Sequence, residues 1–323
     1  MTPDQLLALF LEMVPSEYPR HMLCFFAANA AKGNILPFTT SLLSSLSKID
    51  DASPGYAREM VGRIAAIRET GEGQYEALLE ILAEIYVTAG AVEKADREEG
   101  KALFRHEPGP RGMKNPEFEV RFNGHWCAIE VKTPRLIQHG RKRGSNPWQI
   151  AVRLPKETTA NLEATLPRDN PVKDFLISAE EKFTAYEAHR GGALRILVIV
   201  WDDFCNEPIA ALTSSVSGLL TERSFLRAKD DTAITFTHVD GIVVIRHQHQ
   251  IIRATRGEPL IDGVTDSLHY RHEGFPPKAF IAAQGGRAMP EQVMDALNAV
   301  PLANCIGAEY HPVELIMWLG GGS

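Results

Sequence analysis

The sequence predicts an α/β fold with a mixed central sheet flanked by helices, and three observations predict it. Alternating runs on either side of Asn123-Gly124 form the strongest short-range hairpin signal that a sequence offers. Apolar residues recur at helical spacing before that hairpin, from Tyr75 to about Glu93, and after it, from about Val172 to His189. The run from Leu194 to Trp201 is continuously apolar, as in a strand buried on both faces beside a helical crossover.

Taken in order, residues 1–72 are expected to form an N-terminal helical region. Leu6, Leu7, Phe10, Leu11 and Val14 keep helical spacing until Pro15 and Pro19 break it. An alanine-rich helix follows Phe25-Phe26 and ends near Gly33-Asn34, a third runs from Thr39 to Lys48, and Ser53-Pro54 opens a fourth that reaches Arg68. Such a region is a cap on the domain that follows or a target-recognition module. Thr70-Gly71-Glu72-Gly73 divides it from an α/β domain over 73–323, with a core over about 75–204 and an α/β extension over 205–323.

In the helix from Tyr75, Leu78, Leu82, Ile85 and Ala89 make an apolar stripe, and Glu76, Glu80 and Glu84 repeat at i, i+4 on a neighbouring face. Like charges so spaced weaken an isolated helix, so the glutamates are a solvated face or a set of functional acids. Lys101 to His106 is a short strand candidate, linked to the hairpin by Pro108-Gly109-Pro110-Arg111-Gly112. Closing the hairpin around Asn123-Gly124 sets Phe122 opposite His125, Val120 opposite Cys127 and Phe118 opposite Ile129. One face then carries Phe118, Val120, Phe122, Cys127, Ile129 and Val131; the other carries Glu117, Glu119, Arg121, Trp126, Ala128, Glu130 and Lys132. Glu117 falls across from Glu130, with Lys132 on the same side. Two carboxylates about 5 Å apart at an effective dielectric of about 20 repel by about 3 kcal/mol, which a bound divalent cation, or Lys132 in part, would offset.

These residues resemble the core motif of the PD-(D/E)XK nuclease superfamily, in which Pro-Asp or a similar acid on one strand precedes Glu-X-Lys on the next. Pro116-Glu117 stands where Pro-Asp is usual, and Glu130-Val131-Lys132 matches the second half residue for residue. The order helix, strand, hairpin, helix, buried strand is also that of the superfamily core, and the resemblance covers roughly Tyr75 to Phe204. It implies a restriction-endonuclease-like fold and a metal-dependent nuclease that hydrolyses phosphodiester bonds of nucleic acid, DNA in preference to RNA. Restriction or phage defence is the setting that this analogy suggests. The resemblance further implies that Glu117 and Glu130 hold Mg²⁺ or Mn²⁺, and that the helix before the hairpin supplies a third acid, Glu84 with Glu80 as the fallback. Lys132 would orient the attacking water. Many relatives pair two sites, so a homodimer or a partner protein is a further expectation. The other reading is a nuclease-like fold that no longer cuts and instead binds nucleic acid or a protein; Glu117 at the Pro-Asp position and the net charge of −7 favour it.

Beyond Lys132, Thr133-Pro134 ends the strand, and the expected loop that follows holds Arg135, His139, Arg141, Lys142 and Arg143, the densest basic cluster in the chain. Arg141, Lys142 and Arg143 are the candidates for contacts with phosphates, and a solvated loop is the plain alternative. Lys182, on the helix from Val172, reads as a surface lysine, with a side chain that faces substrate as the alternative. Further on, a helix from Pro208 to Leu220, strands from Ala233 to Thr237 and Gly241 to His247, a short helix from Pro290 to Ala299 and an apolar segment from Glu314 to Leu319 are expected. His247-Gln248-His249 sets two histidines on one side of an extended chain, a weak metal pattern with no third ligand beside it.

Composition narrows the class. A 323-residue chain that is 44% hydrophobic and 23% charged is ordinary for a soluble globular protein. No apolar run is long enough for a membrane span, the start Met1-Thr2-Pro3-Asp4 lacks the basic region of a secretory leader, and the four cysteines form no Cys-x-x-Cys pair. Together these lead to the expectation of a cytoplasmic protein with reduced thiols and no membrane partner. The net charge of −7 excludes a global basic footprint and leaves nucleic-acid contacts to local clusters.

Overall fold

The computed structural model describes residues 1–17, 21–110, 112–145, 148–150, 164–165, 171–203, 205–271, 276–313 and 315–317, the side chains of 142–145, 149, 164–165 and 315–317 excepted. Four helices come first: α1 (Pro3–Met13), α2 (Cys24–Ala31), α3 (Pro37–Ala52) and α4 (Tyr56–Ala65). Thr2 opens α1 with a capping box, its side chain accepting from the Gln5 amide while the Gln5 side chain accepts from the Thr2 amide. The long α5 (Glu72–Lys94) begins inside the Thr70–Gly73 boundary.

A two-stranded ribbon, β1 (Arg97–Glu98) and β2 (Lys101–Ala102), precedes an antiparallel meander of β3 (Phe104–His106), β4 (Phe118–Phe122) and β5 (His125–Lys132). The hairpin register is the one read from the alternation, with Phe122 opposite His125, Val120 opposite Cys127 and Phe118 opposite Ile129. Asn123 and Gly124 both have positive φ, +46° and +86°, as a type I′ turn requires. The Asp96 carboxylate accepts both of their amide protons at 2.8 Å.

The segment after Lys132 is a helix, α6 (Leu136–Ser145), and not the expected loop. The cause lies outside the segment. Glu76 of α5 accepts the amides of Ile137 and Gln138 at 3.0 and 3.2 Å, so a neighbouring helix supplies the cap that the local sequence lacks. Then follow β6 (Trp148–Ile150), β7 (Ala164–Thr165), α7 (Val172–His189), β8 (Leu194–Trp201), α8 (Asn206–Thr213), β9 (Gly241–Arg246), α9 (Gln248–Thr255), β10 (Lys278–Ala282), α10 (Glu291–Ala296), β11 (Ala299–Pro301) and β12 (Leu315–Met317).

Seven strands form one mixed sheet in the order β11-β10-β9-β8-β5-β4-β3. The pairs β5/β8, β8/β9 and β10/β11 are parallel; β9/β10, β4/β5 and β3/β4 are antiparallel. The C-terminal extension therefore continues the same sheet. Every residue of β8 is buried, and its side chains alternate between two cores. Ile196, Val198 and Val200 join the core shared with α1–α5, α9 and α10, while Leu197, Ile199 and Trp201 join the one shared with α7 and α8. A strand covered on both faces has no reason to alternate in polarity, which explains its apolar run.

Four C-terminal expectations need correction. The helix expected from Pro290 to Ala299 spans Glu291–Ala296, and Ala299 instead opens β11, which pairs in parallel with β10. The helix expected to Leu220 ends at Thr213, because the amides of Leu219 and Leu220 fold back onto the carbonyls of Ala211 and Leu212 at 2.8 and 3.0 Å. Ala233–Thr237 is not a strand; its one ladder pairing is the bridge from Ala233 to Arg227, which closes a local loop around Asp231. His247 lies at the start of a helix, not in an extended chain, so it and His249 diverge.

Candidate active site

Antiparallel pairing brings the start of β4 and the end of β5 together. Glu117 precedes β4 by one residue and falls across from Glu130, which is fully buried. Lys132 lies on the same side, its Nζ 2.7 Å from Oε1 of Glu130. A second ammonium completes the group: Nζ of Lys182, from α7, lies 3.1 Å from Oε1 of Glu117 and 2.8 and 3.0 Å from the two oxygens of Glu130. The two carboxylates thus converge on one cation, and that cation is a lysine.

Lys182 is not the surface lysine expected. Phe175, Ser178 and Lys182 follow at i, i+3 and i+7, a stripe beside the buried face of Leu176, Ala179 and Phe183. That spacing marks Lys182 as a residue at the edge of the core; only the fold shows that two acids wait across from it. Burial, then Glu117, push the pKa of Glu130 upward, and the two lysines offset this only in part. Burial works against the charge on Lys182, but Glu130 and Glu117 outweigh it and raise its pKa.

The group opens on a cleft of about 350 Å³. Among the described residues, Arg63, Glu80 and Glu84 line one wall, Glu117, Lys132 and Thr133 the sheet end, and Asp174, Phe175 and Ser178 of α7 the other wall. Glu84 therefore shares the cleft with Glu117, yet it is not poised toward it. Its Oε2 pairs with Arg63 at 2.9 Å, and its Oε1, buried and without a hydrogen bond, is 3.7 Å from Nε2 of His106. Burial lowers the pKa of His106, but Glu84 and Glu59 outweigh it, so that the net shift is upward.

The acidic stripe of α5 has a structural account. Glu72 pairs with Arg141, Glu76 caps α6, Glu80 pairs with Arg135 at 3.0 Å and Glu84 pairs with Arg63. Each carboxylate has its own counter-charge or donor, which removes the like-charge conflict that the spacing implies. Of the basic cluster, Arg141 is exposed and bound to Glu72, whereas the side chains of Lys142 and Arg143 lie outside the described residues. His139 is buried and hydrogen-bonded to Glu207.

The carboxylate pair fits a divalent cation. Its ligands would all be oxygen, as Mg²⁺ and Mn²⁺ favour, and Oε1 of Glu130 is a buried acceptor with no hydrogen bond of good angle despite its two ammonium neighbours. A different trio, Glu59, His106 and Glu107, brings its ligand atoms within 4.8 Å of one another, but two of its members are exposed. Comparison with protein families, with curated proteins and with solved structures returns no match. Among the described residues no helix is long and apolar enough to cross a membrane. All four cysteines are free and buried.

Proposed function

We propose that the chain is a metal-dependent nuclease of restriction-endonuclease-like fold that hydrolyses phosphodiester bonds of nucleic acid, DNA in preference to RNA. The observation that carries the proposal is the convergence of Glu117 and Glu130 at one end of the hairpin, with Lys132 beside them at a cleft. The order α5, antiparallel β3-β4-β5, α7 and then β8 parallel to β5 supports it.

Glu117 and Glu130 would hold the Mg²⁺ or Mn²⁺, with Glu84 as a further ligand once Arg63 releases it. When bound, the metal would activate water and stabilise charge on the phosphate. Lys132 is partly exposed and reaches from Glu130 to the cleft, where its ammonium orients the attacking water and meets negative charge growing on the phosphate oxygens. Arg141, Lys142 and Arg143, on the helix that leaves this end of the sheet, would contact backbone phosphates.

One observation favours the second reading, a nuclease-like fold that binds nucleic acid or a protein without cutting. Lys182, Lys132 and Arg63 already neutralise the three acids without a metal. Incubating the protein with plasmid and linear DNA in Mg²⁺, Mn²⁺ or EDTA separates the two. Cleavage that EDTA abolishes supports the enzyme; DNA binding with no cleavage in either metal supports the binding module.

A further inference from the structure

We infer that Lys182 is a resident cation of the carboxylate pair, which a divalent metal has to displace, so that this lysine sets how much metal the site requires. The inference rests on the metal-dependent reading above. Nζ of Lys182 touches Oε1 of Glu117 and both oxygens of Glu130 at 2.8–3.1 Å. These are the oxygens that Mg²⁺ or Mn²⁺ would use, and an ammonium in contact with all three repels a second cation from the same place.

The lysine is held there by the fold. Val172, Leu176, Ala179, Phe183 and Tyr186 bury one face of α7 against the sheet, and the Tyr186 hydroxyl donates to Glu119 of β4, one helical turn beyond Lys182. Lys132 does not duplicate the contact, since its ion pair is with Glu130. Lys182 also has a way out. Its side chain is 23% exposed, so its flexible stem can carry the ammonium into water while the helix stays in place.

The test is Mn²⁺ binding by isothermal titration calorimetry to the metal-free full chain, with wild type, Lys182→Met, Lys182→Gln and Lys182→Arg. The two neutral variants should bind Mn²⁺ tighter by about tenfold or more. Lys182→Arg, which keeps the cation, should stay at the wild-type affinity or below, and adding Glu117→Gln to Lys182→Met should remove the gain. The rise of Tm with Mn²⁺ should follow the same order, which reads out binding by folded molecules alone. Equal or weaker binding in both neutral variants, including no binding in any of the proteins, overturns the inference. DNA cleavage is scored separately. Wild-type cleavage without a gain in affinity sinks this inference alone, and a gain in affinity without cleavage by any variant sinks the nuclease reading alone.

Discussion

The His247→Phe substitution isolates one titration in the folding equilibrium. His247 is 1% exposed, stacks on Tyr86 of α5 with ring centroids 4.1 Å apart and planes 6° from parallel, and shares a 2.6 Å hydrogen bond between Nε2 and the Ser267 carbonyl. Burial drives its pKa down to about 3, against the pull of the Ser267 carbonyl and helped by the charge of Lys278. In the unfolded chain the same ring titrates near 6.5. Between those values the unfolded state binds a proton that the folded state refuses, so stability falls as the pH falls from about 6.5 towards 3. From pH 7 to pH 5 the loss works out to about 2 kcal/mol. Phenylalanine keeps the stack and has no proton to bind. Urea unfolding at pH 7, 6 and 5 should show wild type losing about 2 kcal/mol more than the variant over that range. His21, His106, His249 and Lys278 are present in both proteins, so their own titrations cancel in the difference to first order. What is left is the ring at 247 with its coupling to His249 and Lys278. Parallel pH profiles would refute the reasoning, because they would mean that the ring at position 247 keeps its ordinary proton affinity in the fold.

Asp240→Ala should destabilise the fold by about 3 kcal/mol or more, since it leaves Arg195 and Arg287 without the carboxylate they share. Asp240 is fully buried and accepts the amides of Arg195 and Arg287 at 2.8 and 2.9 Å as well as both guanidinium groups; a loss under about 1 kcal/mol in urea unfolding would contradict this. Burial opposes the charge of Asp240, but the two arginines hold its pKa well below the carboxylate range. Its stabilisation is therefore complete above the unfolded value near 3.9 and is lost as the pH falls from there through the folded value, which acid titration of wild type against Asp240→Asn would show. Alanine at Arg141, Lys142 and Arg143 together should flatten log DNA affinity against log salt by about 0.9 for each phosphate that these side chains neutralise. The Arg141–Glu72 pair is exposed, so fold stability should move by only about 0.5 kcal/mol. An unchanged salt slope would leave the cluster as a solvated helix face.

The hairpin was legible because two independent signals, the alternation and the Asn-Gly turn, agree in one register. The helix Val172–His189 and the strand Leu194–Trp201 were legible to the residue, since each has a strong period or a strong run with clear ends. At three places where the sequence reading fell short, the deciding partner is distant in the chain. The segment from Leu136 is a helix because Glu76 caps it. Lys182 turns inward because Glu117 and Glu130 lie 65 and 52 residues away across the sheet. The acids of α5 look like a cluster in sequence and are shared out among Arg141, α6, Arg135 and Arg63 in space. Local periodicity reports which face is buried; it does not report what stands opposite.

The most direct measurement of the central claim is the initial rate of plasmid nicking as Mg²⁺ is titrated, for wild type and for Lys132→Ala. Wild type should nick only with metal, and Lys132→Ala, still folded by circular dichroism, should be slower by about a hundredfold or more. A folded wild-type protein that cuts with neither Mg²⁺ nor Mn²⁺, or a Lys132→Ala variant that cuts as fast as wild type, would contradict it.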